Sequence, residues 1–201
     1  MIPGRVIGIY SSIPRQGKST IKDRLVEKHG FRHLAFARVI KRMVATFLIE
    51  QSYPEAAAWE YIENDKEVPL TRVAGMPTAR YLLQTLGTEW GRNAIHHLVW
   101  TAEWELKAGA WSRSGIGIVA DDLRFPNEVE AIKRLGGEIW RVERPDTEAE
   151  DSVIRHASEG GLSSLKFDRT FLNNGTRGAL HLKVDRVIMQ GRTGKRTPLT
   201  D

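Results

Sequence analysis

The chain has 201 residues, 41% of them hydrophobic and 27% charged, with a formal charge of +5 and no cysteine. This is ordinary for one folded domain, or one domain with an insertion. It excludes disulfides and thiolate metal sites, and no apolar run approaches the roughly 20 residues of a membrane span.

The N-terminus lacks the apolar core of a secretory signal, so a cytoplasmic protein is expected. Part of the positive excess sits in Gly191-Arg192-Thr193-Gly194-Lys195-Arg196, read as the start of a flexible basic tail over 191–201. The remaining charge can serve small polyanions such as nucleotides, so a dedicated nucleic-acid surface is not expected.

Arg5 to Tyr10 reads as a short buried strand, and Ile21 to Lys28 as a helix with Ile21, Leu25 and Val26 on one side. Between them lies Ser12-Ile13-Pro14-Arg15-Gln16-Gly17-Lys18-Ser19-Thr20. Strand, loop, Gly-Lys-Ser, helix is the layout of a phosphate-binding loop, whose backbone amides point at an anion. Lys18 would reach the β- and γ-phosphates of a nucleotide, and the Ser19 hydroxyl would hold Mg²⁺. The full motif has Gly where this chain has Ser12. Serine enters the left-handed region less easily, which predicts a different path for the early loop. The competing reading is a Ser/Thr-rich helix cap followed by a surface lysine.

Phe31 to Phe36 reads as a second strand, and Ala37 to Ile49 as a helix with Ile40, Val44 and Phe47 near one face. Pro54 to Ile62 reads as a short helix. Thr78 is a plausible N-cap for a helix from Ala79 to Leu86, which Gly87 interrupts. A further helix is predicted from Glu89 to Ala108, its buried stripe formed by Ile95, Leu98, Val99, Ala102 and Leu106. Trp90, Trp100, Trp104 and Trp111 read as packing residues that could also supply a homodimer face. His96 and His97, adjacent on a helix, would point apart and make a poor metal pair.

Gly115 to Ala120 reads as a central strand ending in Asp121-Asp122, and Pro126 to Leu135 as a helix. Glu138 to Val142 and Thr170 to Leu172 read as the last strands, with a terminal helix from Gly178 to Val187. The alternation predicts an α/β fold, a parallel sheet of about five strands. The helical stretch over about 40–110 is then an insertion able to bind substrate, within a single domain over 1–190.

A buried strand ending in carboxylates resembles the second motif of nucleotide-binding sites, with Asp121 or Asp122 holding the metal. Arg124 falls on the same sheet edge and can grip a phosphate, or else pair with Glu128 on the surface. Arg80 and Gln84 share a helix face, with Arg92 beyond Gly87. These side chains could read an acceptor nucleotide or form a solvated face. Arg141, Arg144 and Arg155 flank or lie within a polar stretch, roughly 144–165, that suits a mobile lid over the phosphates.

The stretch Arg80 to Arg92 resembles the R-x-x-x-Q-x-L-G-T-E-x-x-R signature of bacteriophage deoxynucleoside monophosphate kinases. Asp122-Leu123-Arg124-Phe125-Pro126-Asn127-Glu128, followed by Gly136-Gly137, is similar to their D-V-R-F-P-N-E segment. Phe36-Ala37 with Lys41, His156 to Glu159, and Asp168 to Gly175 resemble further elements, in order, over about residues 6–180.

The resemblance implies a P-loop kinase three-layer sandwich that transfers the γ-phosphoryl of ATP to a deoxynucleoside monophosphate (dNMP) with Mg²⁺, in the host cytoplasm if phage-encoded. By matching position it implies ATP binding by Arg15, Gln16, Gly17, Lys18, Ser19, Thr20 and Asn173, the last near the adenine. It implies dNMP binding by Lys41, Arg80, Gln84, Arg92, Arg124 and Glu128, catalysis by Lys18, Asp122 and Arg124, and metal binding by Ser19, Asp121 and Asp122. The alternatives are a P-loop ATPase acting on nucleic acid and a nucleotide-binding regulator without turnover.

Overall fold

The computed structural model describes residues 3–145, 162 and 165–192. Five strands form one parallel sheet: β1 (Val6–Tyr10), β2 (Arg32–His33), β3 (Ile118–Ala120), β4 (Glu138–Glu143) and β5 (Arg169–Leu172). Their order across the sheet is β2-β3-β1-β4-β5, with every pairing parallel. The second, third and fourth strand readings hold at different lengths. Only Arg32–His33 of the expected Phe31–Phe36 pairs, and only Ile118–Ala120 of the expected Gly115–Ala120.

Two compact units divide the chain, one built from residues 1–35 and 105–201, the other from Phe36–Trp104. In the first, α1 (Lys18–His29) and α7 (Arg177–Arg192) pack together over one sheet face. Their core joins Ile7, Ile9, Ile21 and Leu25 to Trp140, Phe171, Leu180, Val184 and Val187. The opposite face carries α6 (Pro126–Arg134), whose Ile132 presses on Gly8 of β1. A sheet between two helical layers is thus the three-layer arrangement expected. The helix α7 runs on through Gly191 and Arg192, which the sequence reading placed in the tail.

The second unit contains α2 (Arg38–Glu50), α3 (Glu55–Glu63), α4 (Ala79–Gln84), a π-helix over Thr85–Ile95, and the start of α5 (Val99–Arg113). Its core is Val44, Ala45, Leu48, Tyr53, Ala58, Ile62, Leu70 and Val73. On α2 the buried face turns through Leu48, and Phe47 is 42% exposed, contrary to the predicted stripe. Gly87 does not break the chain of turns: the helix widens there instead. Ile95 and Leu106, predicted to be buried, are 54% and 76% exposed, because the turn at 96–98 starts α5 on a new phase and buries Trp100, Thr101, Trp104 and Ala108. His96 and His97 lie in that turn rather than within a helix, and their rings are 4.4 Å apart rather than pointing away. Among the described residues no helix is long and apolar enough to cross a membrane.

Candidate active site

The loop after β1 turns at two left-handed residues, neither of them Ser12. Its left-handed residues are Arg15, at φ 61°, and Gly17, at φ 113°. Ser12 is not among the positive-φ residues, so the substitution is made where the backbone does not need glycine. Gly17 is required: a Cβ there would stand 2.8 Å from Asn173 Nδ2, in a conformation L-residues rarely adopt. That same Nδ2 donates to the Gln16 carbonyl at 2.9 Å. Asn173, expected near the adenine, also braces the loop.

Helix α1 begins at Lys18 with no side-chain cap and no acidic residue in its first turn. A helix start with neither a capping oxygen nor a carboxylate leaves its amides and its positive dipole end to an external anion. Lys18 Nζ donates to Ser11 Oγ at 2.9 Å, and Ser11 Oγ donates to the Ile13 carbonyl at 2.8 Å. The ammonium is thereby folded back along the loop. Gln16 is buried, and its Oε1 has no hydrogen-bond partner among the described residues, an uncompensated acceptor beside the cradle. Arg15 and Ser19 are exposed and Thr20 is half-buried.

Because β1 and β3 are parallel neighbours, Asp121 and Asp122 leave the sheet at the edge from which the loop departs. His33, paired with Val119 in the β2–β3 ladder, brings its Nε2 to 2.7 Å from Asp121 Oδ1. Burial disfavours the Asp121 charge, but the His33 hydrogen bond and charge, with Lys22, outweigh it and hold the carboxyl below its usual range. The ionised form of the Asp121 carboxyl is thereby favoured.

The Glu128 carboxylate, 3% exposed, accepts from the backbone amides of Arg124 at 2.7 Å and Phe125 at 3.1 Å. Glu128, in the first turn of α6, thereby caps the Phe125 N-cap amide, which is the carboxylate half of a capping box. The carboxylate fixes the Arg124 main chain, and the Arg124 side chain stays exposed.

In the helical unit, Thr78 caps α4 by accepting from the Tyr81 amide at 3.2 Å, as its sequence position predicts. The Arg80 guanidinium pairs with Glu67, and Lys41 Nζ meets both Glu63 oxygens at 2.8 and 2.7 Å. Gln84 is exposed and Arg92 half-buried. Glu63, Glu67 and His33 were absent from the sequence reading, because no local pattern marks a partner so far along the chain. Arg141 pairs with Glu143 and lies 5.3 Å over the Phe167 ring. Arg144 is exposed. Arg155, the proposed lid and the His156 to Glu159 resemblance lie outside the described residues.

A family model for deoxynucleotide monophosphate kinase matches residues 73–184. A protein of Acanthamoeba polyphaga mimivirus, provisionally named a deoxynucleotide monophosphate kinase, is 30% identical over 177 residues, 80% of this chain and 84% of its own. The uncharacterized protein ORF77 of Ictalurid herpesvirus 1 is 30% identical over 127 residues, 59% of this chain and 52% of its own. Among solved structures, a dephospho-CoA kinase from Campylobacter jejuni shares the fold, with a TM-score of 0.53 at 14% identity over 93% of this chain and 97% of its own. With a P-loop on a parallel sheet and a family match over more than half its length, the chain belongs to the deoxynucleotide monophosphate kinase family and is a nucleotide kinase.

Proposed function

We propose that the protein moves the γ-phosphoryl of ATP to a deoxynucleoside 5′-monophosphate, giving the diphosphate and ADP. Supply of DNA precursors to a virus, as in a phage-infected cell, is the context we infer, since the relatives above come from viruses. The observation that carries the reading is the uncapped start of α1, with Lys18 folded against Ser11 on the sheet edge that also bears Asp121, Asp122 and Arg124.

Backbone amides of 15–19 and Lys18 would hold the triphosphate, and Asn173 would keep the loop in shape through the Gln16 carbonyl. An oxygen of the acceptor 5′-phosphate attacks the γ-phosphorus, and the bond from that phosphorus to the β–γ bridging oxygen breaks, leaving ADP. Arg124, with Arg80 or Arg92, would hold the acceptor phosphate. Gln84 and Lys41 would serve the rest of that nucleotide, and Glu128 would act through the Arg124 backbone. Fixing two phosphates in line supplies up to about 7–11 kcal/mol of the barrier.

Mg²⁺ fits this edge. Ser19, Asp121 and Asp122 offer only hard oxygens, and Asp121 is held ionised. No cluster of three or more His, Asp or Glu among the described residues could hold a metal alone. That suits an ion held by one or two carboxylates and the nucleotide's own phosphates. The ion would neutralise charge on the β- and γ-phosphates.

A coupled assay with ATP, Mg²⁺ and each of the four deoxynucleoside monophosphates tests the reading. ADP should form only when an accepted monophosphate is present, with stoichiometric diphosphate. ATP hydrolysis that rises with DNA and needs no monophosphate, or nucleotide binding without turnover, would overturn it.

A further inference from the structure

Eleven consecutive residues, Thr85–Ile95, wind as a π-helix. Such windings usually last a single turn and recur at functional sites. The His96 amide still reaches back five residues, to the Gly91 carbonyl at 3.0 Å. Trp100 explains the width. Its Nε1 donates to the Gly87 carbonyl at 2.8 Å, and its ring fills the space where a Gly91 Cβ would lie, 2.4 Å from Cζ2. One buried indole thus grips the coil at two glycines four residues apart.

The winding changes which side chains share a face. In an α-helix each residue turns about 100°, so twelve residues would leave Arg92 about 120° round the axis from Arg80. A helix bonded five residues apart takes more than four residues per turn, and steps of four come close to superposing. Gly87 and Gly91 are both buried, while Glu89 and Asn93, and Trp90 and Ala94, are exposed at the same spacing. Thr88 and Arg92 are both half-buried, on the flank between. Arg80, Gln84, Thr88 and Arg92 therefore follow one another in steps of four along one side.

We infer that the π winding is a register device for the acceptor nucleotide, and that the Thr88 hydroxyl is a further specificity group in the row it creates. This rests on the kinase reading proposed above. The row has a guanidinium at each end, either of them suited to the oxygens of the acceptor's one phosphate. An amide and a hydroxyl lie between them, each able to donate and accept, suited to the neutral polar edge of a nucleoside. Under α geometry Thr88 and Arg92 would be turned away from Arg80, and no such row would exist.

Steady-state kinetics with an accepted monophosphate test this. Thr88→Val keeps the branched shape and removes the hydroxyl. It should raise KM for the monophosphate about tenfold, leave KM for ATP and the melting temperature unchanged, and be rescued by Thr88→Ser. An unchanged monophosphate KM in T88V, with the wild type fully active, overturns the inference and leaves the kinase reading standing. No transfer by the wild type overturns both. If T88V does not fold, the cycle of Arg80→Gln, Arg92→Gln and the double variant decides. One shared row predicts that the double loses much less monophosphate affinity than the product of the singles. Independent effects that multiply would overturn it.

Discussion

Lys18 is legible from sequence alone, but Ser11, which receives its ammonium, is not part of the motif that announces it. The hydroxyl keeps the lysine within the loop, ready for a polyanion. Lys18→Ala should therefore lower kcat by about a thousandfold while leaving circular dichroism and melting unchanged. Near-normal turnover would remove the lysine from the mechanism. Arg124 differs, because its backbone is locked by Glu128 while its side chain stays exposed. Arg124→Ala should raise KM for the monophosphate by about tenfold or more, with KM for ATP nearly unchanged. Equal effects on both constants would place it elsewhere. At this scale the motif residues could be read and their partners could not: His33 meets Asp121 from 88 residues away, and Glu128 looks like a surface acid until its amide partners are seen.

Among the elements, the helix that presents the loop is tied to the last helix of the chain by one carboxylate. Asp185 on α7, 2% exposed, accepts from Arg24 at 2.9 and 2.6 Å and from Lys28 at 2.7 Å, and lies 2.8 Å from His29, all three on α1. The Arg24 hydrogen bond, helped by Lys28 and His29 against the cost of burial, holds its carboxyl far below the usual range. A carboxyl depressed in the folded state contributes stability above its unfolded value of about 3.9, and that contribution drains away as pH falls below it. Asp185→Asn should lower Tm at pH 7 by about 4–8 °C. The difference from wild type should shrink as pH is taken from about 4.5 toward 2. A difference constant over that range would mean that the charge of Asp185 contributes nothing. Helix readings failed where tertiary packing overrode local preference. Gly87 reads as a breaker by propensity, yet Trp100 holds the coil together through it. The stripe drawn through Ile95 and Leu106 assumed one helical phase across a turn that resets it.

Across the whole molecule, the alternation of apolar runs with amphipathic stretches made a parallel five-stranded sheet readable, because parallel strands are buried on both faces and need long crossovers. The strand order was not readable, since it depends on which crossover carries the chain to which side of β1. Strand lengths were overestimated at β2, where Phe31, Leu34 and Phe36 are buried without extending the ladder, and at β3, where Gly115 is exposed and Ile116 and Gly117 are half-buried.

The placement of β1 also bears on how the chain is made. Val6 and Ile7 find their partners at Ile118 and Glu138, so during synthesis β1 stays unpaired until more than a hundred further residues have been made. Phe36–Trp104 is continuous in sequence and forms its own cluster, and so can condense while that wait lasts. Until then β1, destined to be buried at every position, is an exposed apolar edge that needs shielding during translation.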